Sequence, residues 1–247
     1  MIDEQVHRFH ESLTGVYGHL GQDIVDFALR VSEAIVKELV PLVEARDKGP
    51  LLASMRAALD GYEAITQEGE RSGVFRDDYD CREGCGHCCC VKVVCSPLEA
   101  LVVAEHVRAT RPNEGRAQLE RALGVLLQAT RGVRWDERAE LPCPFLLDGA
   151  CEIYEVRPFV CRGYISLNVQ DCLAPRPNFI SFDEDRQMLA EVFSHATMLA
   201  CQVAGLETDM VDFHEALEFF SGGSDPVTAW LEGHARVPVV RAVNKTG

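Results

Sequence analysis

Prolines at 142, 144, 158, 175 and 177, with glycines at 149 and 163, interrupt the stretch from Gly132 to about Asn178. No long helix or strand can run through it. A loop-rich stretch of that length inside a compact protein is unusual unless something binds it or staples it. Cysteines are the available staple. Six of the chain's eleven lie at Cys81, Cys85, Cys88, Cys89, Cys90 and Cys95, and four more at Cys143, Cys151, Cys161 and Cys172.

Thiolates spaced two to four residues apart can converge on one soft metal centre, because a tight turn aims several sulfurs inward. Gly84 and Gly86 offer the positive backbone angles such a turn needs. Residues Met1 to His10 contain no apolar core of a secretory signal, and no run approaches the length of a membrane helix. The expected address is the cytoplasm, where thiols stay reduced and clustered cysteines signify metal or redox chemistry rather than disulfides. A formal net charge of −15 argues against a nucleic-acid partner, since phosphate binding needs a basic surface.

The rest of the chain reads as helix. In residues 22–46, Ile24, Phe27, Ala28, Val31, Ile35, Leu39 and Leu42 recur at three- and four-residue steps. Lys48-Gly49-Pro50 should end that helix, and Leu51 to Ile65 should form a second one packed back as a hairpin. Ser96-Pro97-Leu98-Glu99 predicts an N-cap, a proline at the first helical position and a capping box. That helix stops at Arg111-Pro112, and another follows from about Glu114 to Thr130 on Leu119, Leu123, Leu126 and Leu127. Short pieces such as Ile153-Tyr154 suggest extended strands. Asp183-Glu184-Asp185 opens a helix to about Gly205, a shorter one spans Asp209 to Phe220, and residues 226–233 add a turn around Trp230.

At the motifs Cys81-Arg-Glu-Gly-Cys85-Gly-His-Cys88-Cys89, Cys143-Pro-Phe-Leu146, Gly149-Ala-Cys151-Glu-Ile-Tyr154, Arg157-Pro158, Cys161-Arg-Gly-Tyr-Ile-Ser166 and Asp171-Cys172, the chain resembles the YkgJ-type cysteine-cluster family. Pro97-Leu-Glu-Ala100 belongs to the same ordered pattern, which covers about residues 79–172. The family is described as chelating zinc or iron. The resemblance implies metal binding through Cys81, Cys85, Cys88, Cys89, Cys143, Cys151, Cys161 and Cys172. It also extends to the cysteine cluster of flagellin lysine methylases, which implies iron–sulfur rather than zinc chemistry. No glycine-rich loop after a strand marks an S-adenosylmethionine site. The spacing of Cys81, Cys85 and Cys88 is also that of radical S-adenosylmethionine enzymes, but no alternation of strands and helices follows it.

Eight thiolates suffice for two four-thiolate sites, or for one site with spare thiols, since zinc and a cubane cluster each take four. Arg157 and Arg162 are placed to offset the resulting negative charge. Cys90 and Cys95 fall outside the pattern, and Cys201 reads as a buried small hydrophobe in a helix. His87 reads as a bystander in the cysteine turn, His195 and His214 as packed or surface side chains, and Tyr154 and Tyr164 as packing around the site.

The expected fold is mainly α, one domain over 1–247. Helices at 1–78 and 176–247 bracket an irregular, loop-rich, cysteine-coordinated core at 79–175. The expected function is metal binding, with an iron–sulfur cluster of the [4Fe-4S] type favoured over zinc and a role that is structural or in electron or group transfer. The competing expectation is an enzyme using the cluster directly, such as a methyl or sulfur transferase. No membrane partner is expected.

Overall fold

The computed structural model describes residues 18–130, 141–173, 181–223 and 225–240, together with His7, Glu11, Thr14 and Gly15. The protein is mainly helical. Its described elements are α1 (Gln22–Glu44), α2 (Lys48–Ser72), β1 (Val94–Cys95), α3 (Pro97–Thr110), α4 (Asn113–Thr130), β2 (Leu146–Leu147), β3 (Ala150–Cys151), α5 (Phe159–Gly163), α6 (Val169–Leu173), α7 (Glu184–Val203), β4 (Val211–Asp212), α8 (Phe213–Ser221) and α9 (Pro226–Leu231). Short 3-10 turns occupy Gly18–Leu20 and Tyr154–Val156.

α1 and α2 form the expected hairpin: the Ser54 hydroxyl reaches the Glu38 carboxylate at 3.4 Å across the turn. Two details differ from the sequence reading. Lys48-Gly49-Pro50 is the first turn of α2 rather than a break, because the Asp47 side chain caps it by accepting from the Gly49 N–H. The inward stripe of α1 is Val25, Ala28, Ser32, Val36, Leu39 and Val43, which leaves Phe27 37% exposed. The stripe is set by α7 rather than by α2: Ala28 packs with Met188 and Val192, and Val36 with Ala196 and Leu199. A neighbour far along the chain thus chooses which of two overlapping apolar faces is covered.

α3 sits at the centre, buried from Pro97 to Ala104 and again at Val107. The capping box at its start is present as expected. Glu99 N–H donates to the Ser96 hydroxyl and Ser96 N–H donates to the Glu99 carboxylate. That carboxylate is itself buried, and also accepts from Phe159 N–H at 2.8 Å and Ser194 Oγ at 2.5 Å. One side chain therefore joins the starts of α3 and α5 to the middle of α7. Burial raises its carboxyl above the usual range, with the accepted hydrogen bonds opposing.

Tyr62, Phe159 and Phe193 form an aromatic cluster from α2, α5 and α7, with centroids 5.0 to 5.9 Å apart. Burying each ring contributes about 2–3 kcal/mol. Gly163 completes this junction: a β-carbon there would lie 2.4 Å from Ala190 Cβ and 2.8 Å from the Arg186 carbonyl. α5 can therefore lie directly on α7.

The segment after α2 is fixed by Arg186. This buried guanidinium pairs with Asp183 and Glu70, donates to the Arg76 carbonyl, and lies 4.7 Å from the Tyr79 ring centre. The chain is thereby held just before Cys81. The two sheets are minimal: β1 pairs with β4, and β2 with β3, both antiparallel. Ile153 and Tyr154 are not in a strand but enter a 3-10 turn. The expected helix from Asp209 begins only at Phe213, because residues 211–212 pair with β1 and Asp212 then caps the helix.

Candidate metal centre

Residues 81–91 fold as successive tight turns. Cys85 N–H donates to the Arg82 carbonyl, Cys89 N–H to Gly86 and Val91 N–H to Cys88, at 3.0 to 3.1 Å. Gly84 has the positive φ of +84° that such a path needs. Gly86 does not, and its role is proximity. A β-carbon there would meet Leu146 Cδ1 at 2.5 Å and the Gly149 carbonyl at 2.9 Å. The first cysteine loop thus rests against the second cysteine segment, and only a glycine lets it.

That second segment is a hairpin. Leu147 pairs with Ala150 and Leu146 with Cys151 across the two-residue turn Asp148-Gly149, whose φ values of 51° and 84° are those of a type I′ turn. The sequence carried the signal, since Asp-Gly between apolar pairs is a strong hairpin cue. Cys143 N–H donates to the Cys89 carbonyl at 2.6 Å. This bond joins the two cysteine groups directly.

Three further anchors place the remaining sulfurs. Val169 N–H donates to Asp80 Oδ2 at 2.9 Å, which brings α6 and its Cys172 to the start of the first loop. Asp171 accepts from the Ser181 N–H and hydroxyl, fixing the same helix from its other side. Arg162 holds α5 and Cys161 by donating to the Arg157 and Glu155 carbonyls and pairing with Glu63. Arg162 was expected to offset thiolate charge; its guanidinium is instead occupied by Glu63 and backbone. Arg157 lies 3.5 Å over the Tyr154 ring, donates to the Tyr154 carbonyl, pairs with Glu63 at 3.9 Å, and also acts on the Cys89, Cys151 and Cys161 thiols.

All eight cysteines of the motif pattern are free and partly exposed, whereas Cys95 and Cys201 are buried. Burial, a Ser166 N–H bond that opposes it, and the nearby Cys85 and Cys172 sulfurs leave the Cys81 thiol raised. Cys161 is raised by burial and then by Cys143, Cys151 and Cys89. Cys151 is raised by burial too, against a bond from the Ile153 N–H. Cys88 donates to Cys89 and is pushed far up. Cys89, accepting that bond and facing Arg157, is drawn down to about 7 despite burial. These are groups of mutually repelling sulfurs, some held by backbone N–H donors as thiolate ligands are.

Among the described residues, no three His, Cys, Asp or Glu side chains stand close enough to form a closed metal cage. The sulfurs are spatial neighbours but are not gathered into such a group. Their chemistry fits a soft metal: all-thiolate donors, N–H donors to sulfur and one facing arginine. His87 is exposed, and its carbonyl accepts the Cys90 S–H at 3.3 Å. His195 bonds the Glu191 carbonyl on its own helix. Tyr164 stacks on Phe182, in keeping with a packing role.

His214 is the residue sequence reasoning missed. It is buried on α8 with Nε2 3.5 Å from Cys143 Sγ. No spacing rule links positions 143 and 214; tertiary packing, including the β1–β4 pairing before α8 and the Phe145–Phe213 ring contact, brings them together.

Residues 80–186 match the family model CxxCxxCC, described as "Putative zinc- or iron-chelating domain". The cysteine-cluster family that the motifs resemble is thus the one this segment matches, and the match supports metal binding through its cysteines. No curated protein and no solved structure matches the chain. No described helix is long and apolar enough to cross a membrane.

Proposed function

We propose that the protein binds iron–sulfur, drawing the four thiolate ligands of a centre from Cys81, Cys85, Cys88, Cys89, Cys143, Cys151, Cys161 and Cys172. The carrying observation is the Cys143 N–H to Cys89 carbonyl bond of 2.6 Å, which closes the two cysteine groups on each other. N–H donors to sulfur at Cys81 and Cys151 support iron–sulfur ligation, since such bonds tune a cluster's potential. Once bound, the centre supplies one-electron chemistry and cross-links segments that have little regular structure of their own. The chain's contribution is to orient the sulfurs, to set Arg157 against their charge, and to leave one side near solvent for electron exchange.

Zinc is the second reading, favoured by the sufficiency of four thiolates for a structural site. Anaerobically purified protein should be brown, with visible charge-transfer absorption and matching iron and acid-labile sulfide. Colourless protein carrying zinc would overturn the iron–sulfur reading, and protein that takes up neither metal would overturn both.

A further inference from the structure

Pro97-Leu-Glu-Ala100 and Arg157-Pro158 carry no thiol, yet both run in the same ordered pattern as the cysteines. The structure joins the two. We infer that Glu99 is the positioning residue for Cys161, capping from inside the core the short helix that presents this sulfur. Its bearing on metal rests on the reading that these cysteines bind metal.

α5 is five residues long, far below the length at which a helix holds itself in water. Its place is therefore set by what touches it. The N-cap is Pro158, whose side chain has no acceptor for the first free N–H groups, and no side-chain cap bond is made there. Glu99 supplies the acceptor from 60 positions away, with Oε1 taking the Phe159 N–H at 2.8 Å. The Phe159 ring packs against Tyr62 and Phe193, and Gly163 rests on α7 at the other end. Cys161 lies between these two grips.

The two carboxylate oxygens divide the work. Oε2 accepts from the Ser96 N–H at 2.7 Å and the Ser194 hydroxyl at 2.5 Å, while Oε1 serves Phe159. Two backbone donors on opposite oxygens demand two acceptor atoms, and a side-chain amide has only one. Glutamine at this position would therefore turn its NH2 group toward the start of α3 or toward the start of α5. No other substitution so close in shape separates the two helices. Ser194→Ala is the matched control, because it removes the bond to α7 and leaves both backbone donors satisfied.

Brief alkylation of the metal-free chain, read by mass spectrometry at Cys161 with Cys85 of the first loop as internal reference, tests the inference without any metal. In Glu99→Gln the labelling of Cys161 relative to Cys85 should rise about tenfold or more, the loosening expected when a buried donor loses its acceptor. In Ser194→Ala the ratio should stay as in wild type. An unchanged ratio in folded Glu99→Gln, or an equal rise in Ser194→Ala, would overturn the inference. If Glu99→Gln does not fold, the wild-type chain decides. Its Phe159 amide and its Cys161 thiol should become accessible, to deuterium and to the reagent, in one and the same opening; Cys161 labelled while the Phe159 amide stays protected would overturn it. After anaerobic loading with ferrous iron and sulfide, Glu99→Gln should lose metal to a chelator faster than Ser194→Ala, and equal loss would overturn the bearing of Glu99 on the metal. A wild-type chain that takes up no metal would overturn the metal reading, while the alkylation result stands or falls by itself.

Discussion

His214 Nε2 lies 3.5 Å from the sulfur of Cys143, inside the protein and at the end of a helix start capped by Asp212. A buried ring nitrogen at that distance can donate to a thiolate and steady it. His214→Phe keeps an aromatic ring beside Phe213 and removes the nitrogen. Metal content should hold, while the visible spectrum or midpoint potential of the loaded protein shifts. An unchanged spectrum and potential would reduce His214 to packing.

Gly86→Ala tests whether the two cysteine segments need their close approach. The added carbon meets both Leu146 and the Gly149 carbonyl, and relief requires backbone movement. We expect a loss of about 1–3 kcal/mol and reduced metal retention against a chelator. Gly84→Ala meets no neighbour but carries the cost of a positive φ, about 1–2 kcal/mol. Thermal melts paired with metal retention separate the two, because only Gly86→Ala should lower retention more than its stability loss accounts for.

Removing Glu99 leaves Ser96 N–H, Phe159 N–H and the Ser194 hydroxyl without their acceptor in the core. Glu99→Ala should destabilise by about 3 kcal/mol or more, as an unsatisfied buried donor costs about 1–3 kcal/mol. Denaturant melts measure it; a change below about 1 kcal/mol would mean the three donors find other partners.

The Glu70–Arg186 clamp predicts acid sensitivity. Burial alone would raise the Glu70 carboxyl, but hydrogen bonds from Tyr79 and Arg186 and the Arg186 charge together hold it below the ordinary value of 4.5. A carboxylate depressed by folding stabilises fully above its unfolded value, and that contribution fades as pH falls through the folded one. Melting temperature should therefore drop below about pH 4.5, and Glu70→Gln should flatten this part of the profile while costing about 1–3 kcal/mol at pH 7. A profile identical to wild type would remove Glu70 from the account.

Accepting the Cys88 S–H bond, with Arg157 nearby, should make Cys89 the most reactive thiol of the metal-free protein near neutral pH, since the thiolate is the nucleophile. Mass spectrometry after brief alkylation should find Cys89 modified first, and Arg157→Gln should slow that site selectively. Equal slowing at all cysteines would point to a general loss of structure.

Where the chain carries its own local instruction, sequence and structure agree. Ser96 and Glu99 make their capping box from four consecutive residues, and Asp183 caps α7 by accepting from the Arg186 N–H. The stripe of Leu119, Leu123, Leu126 and Leu127 on α4 is equally self-contained. The cysteine motifs were legible for the same reason. Facts decided by distant neighbours were not. Phe27 turns outward because α7 selects the other face of α1, Gly86 is glycine because of Leu146, and Arg162 turns to Glu63 rather than to sulfur. His214 is the extreme case, a site neighbour with no local pattern at all.

The hydrogen bond from Cys143 to the Cys89 carbonyl also imposes an order on biosynthesis. The first cysteine loop leaves the ribosome complete well before Cys143 exists, and α6 and the hairpin follow later still. During that interval the first loop's thiols exist without the segments that pack against them, and the eight thiols are complete only once residue 172 has been made.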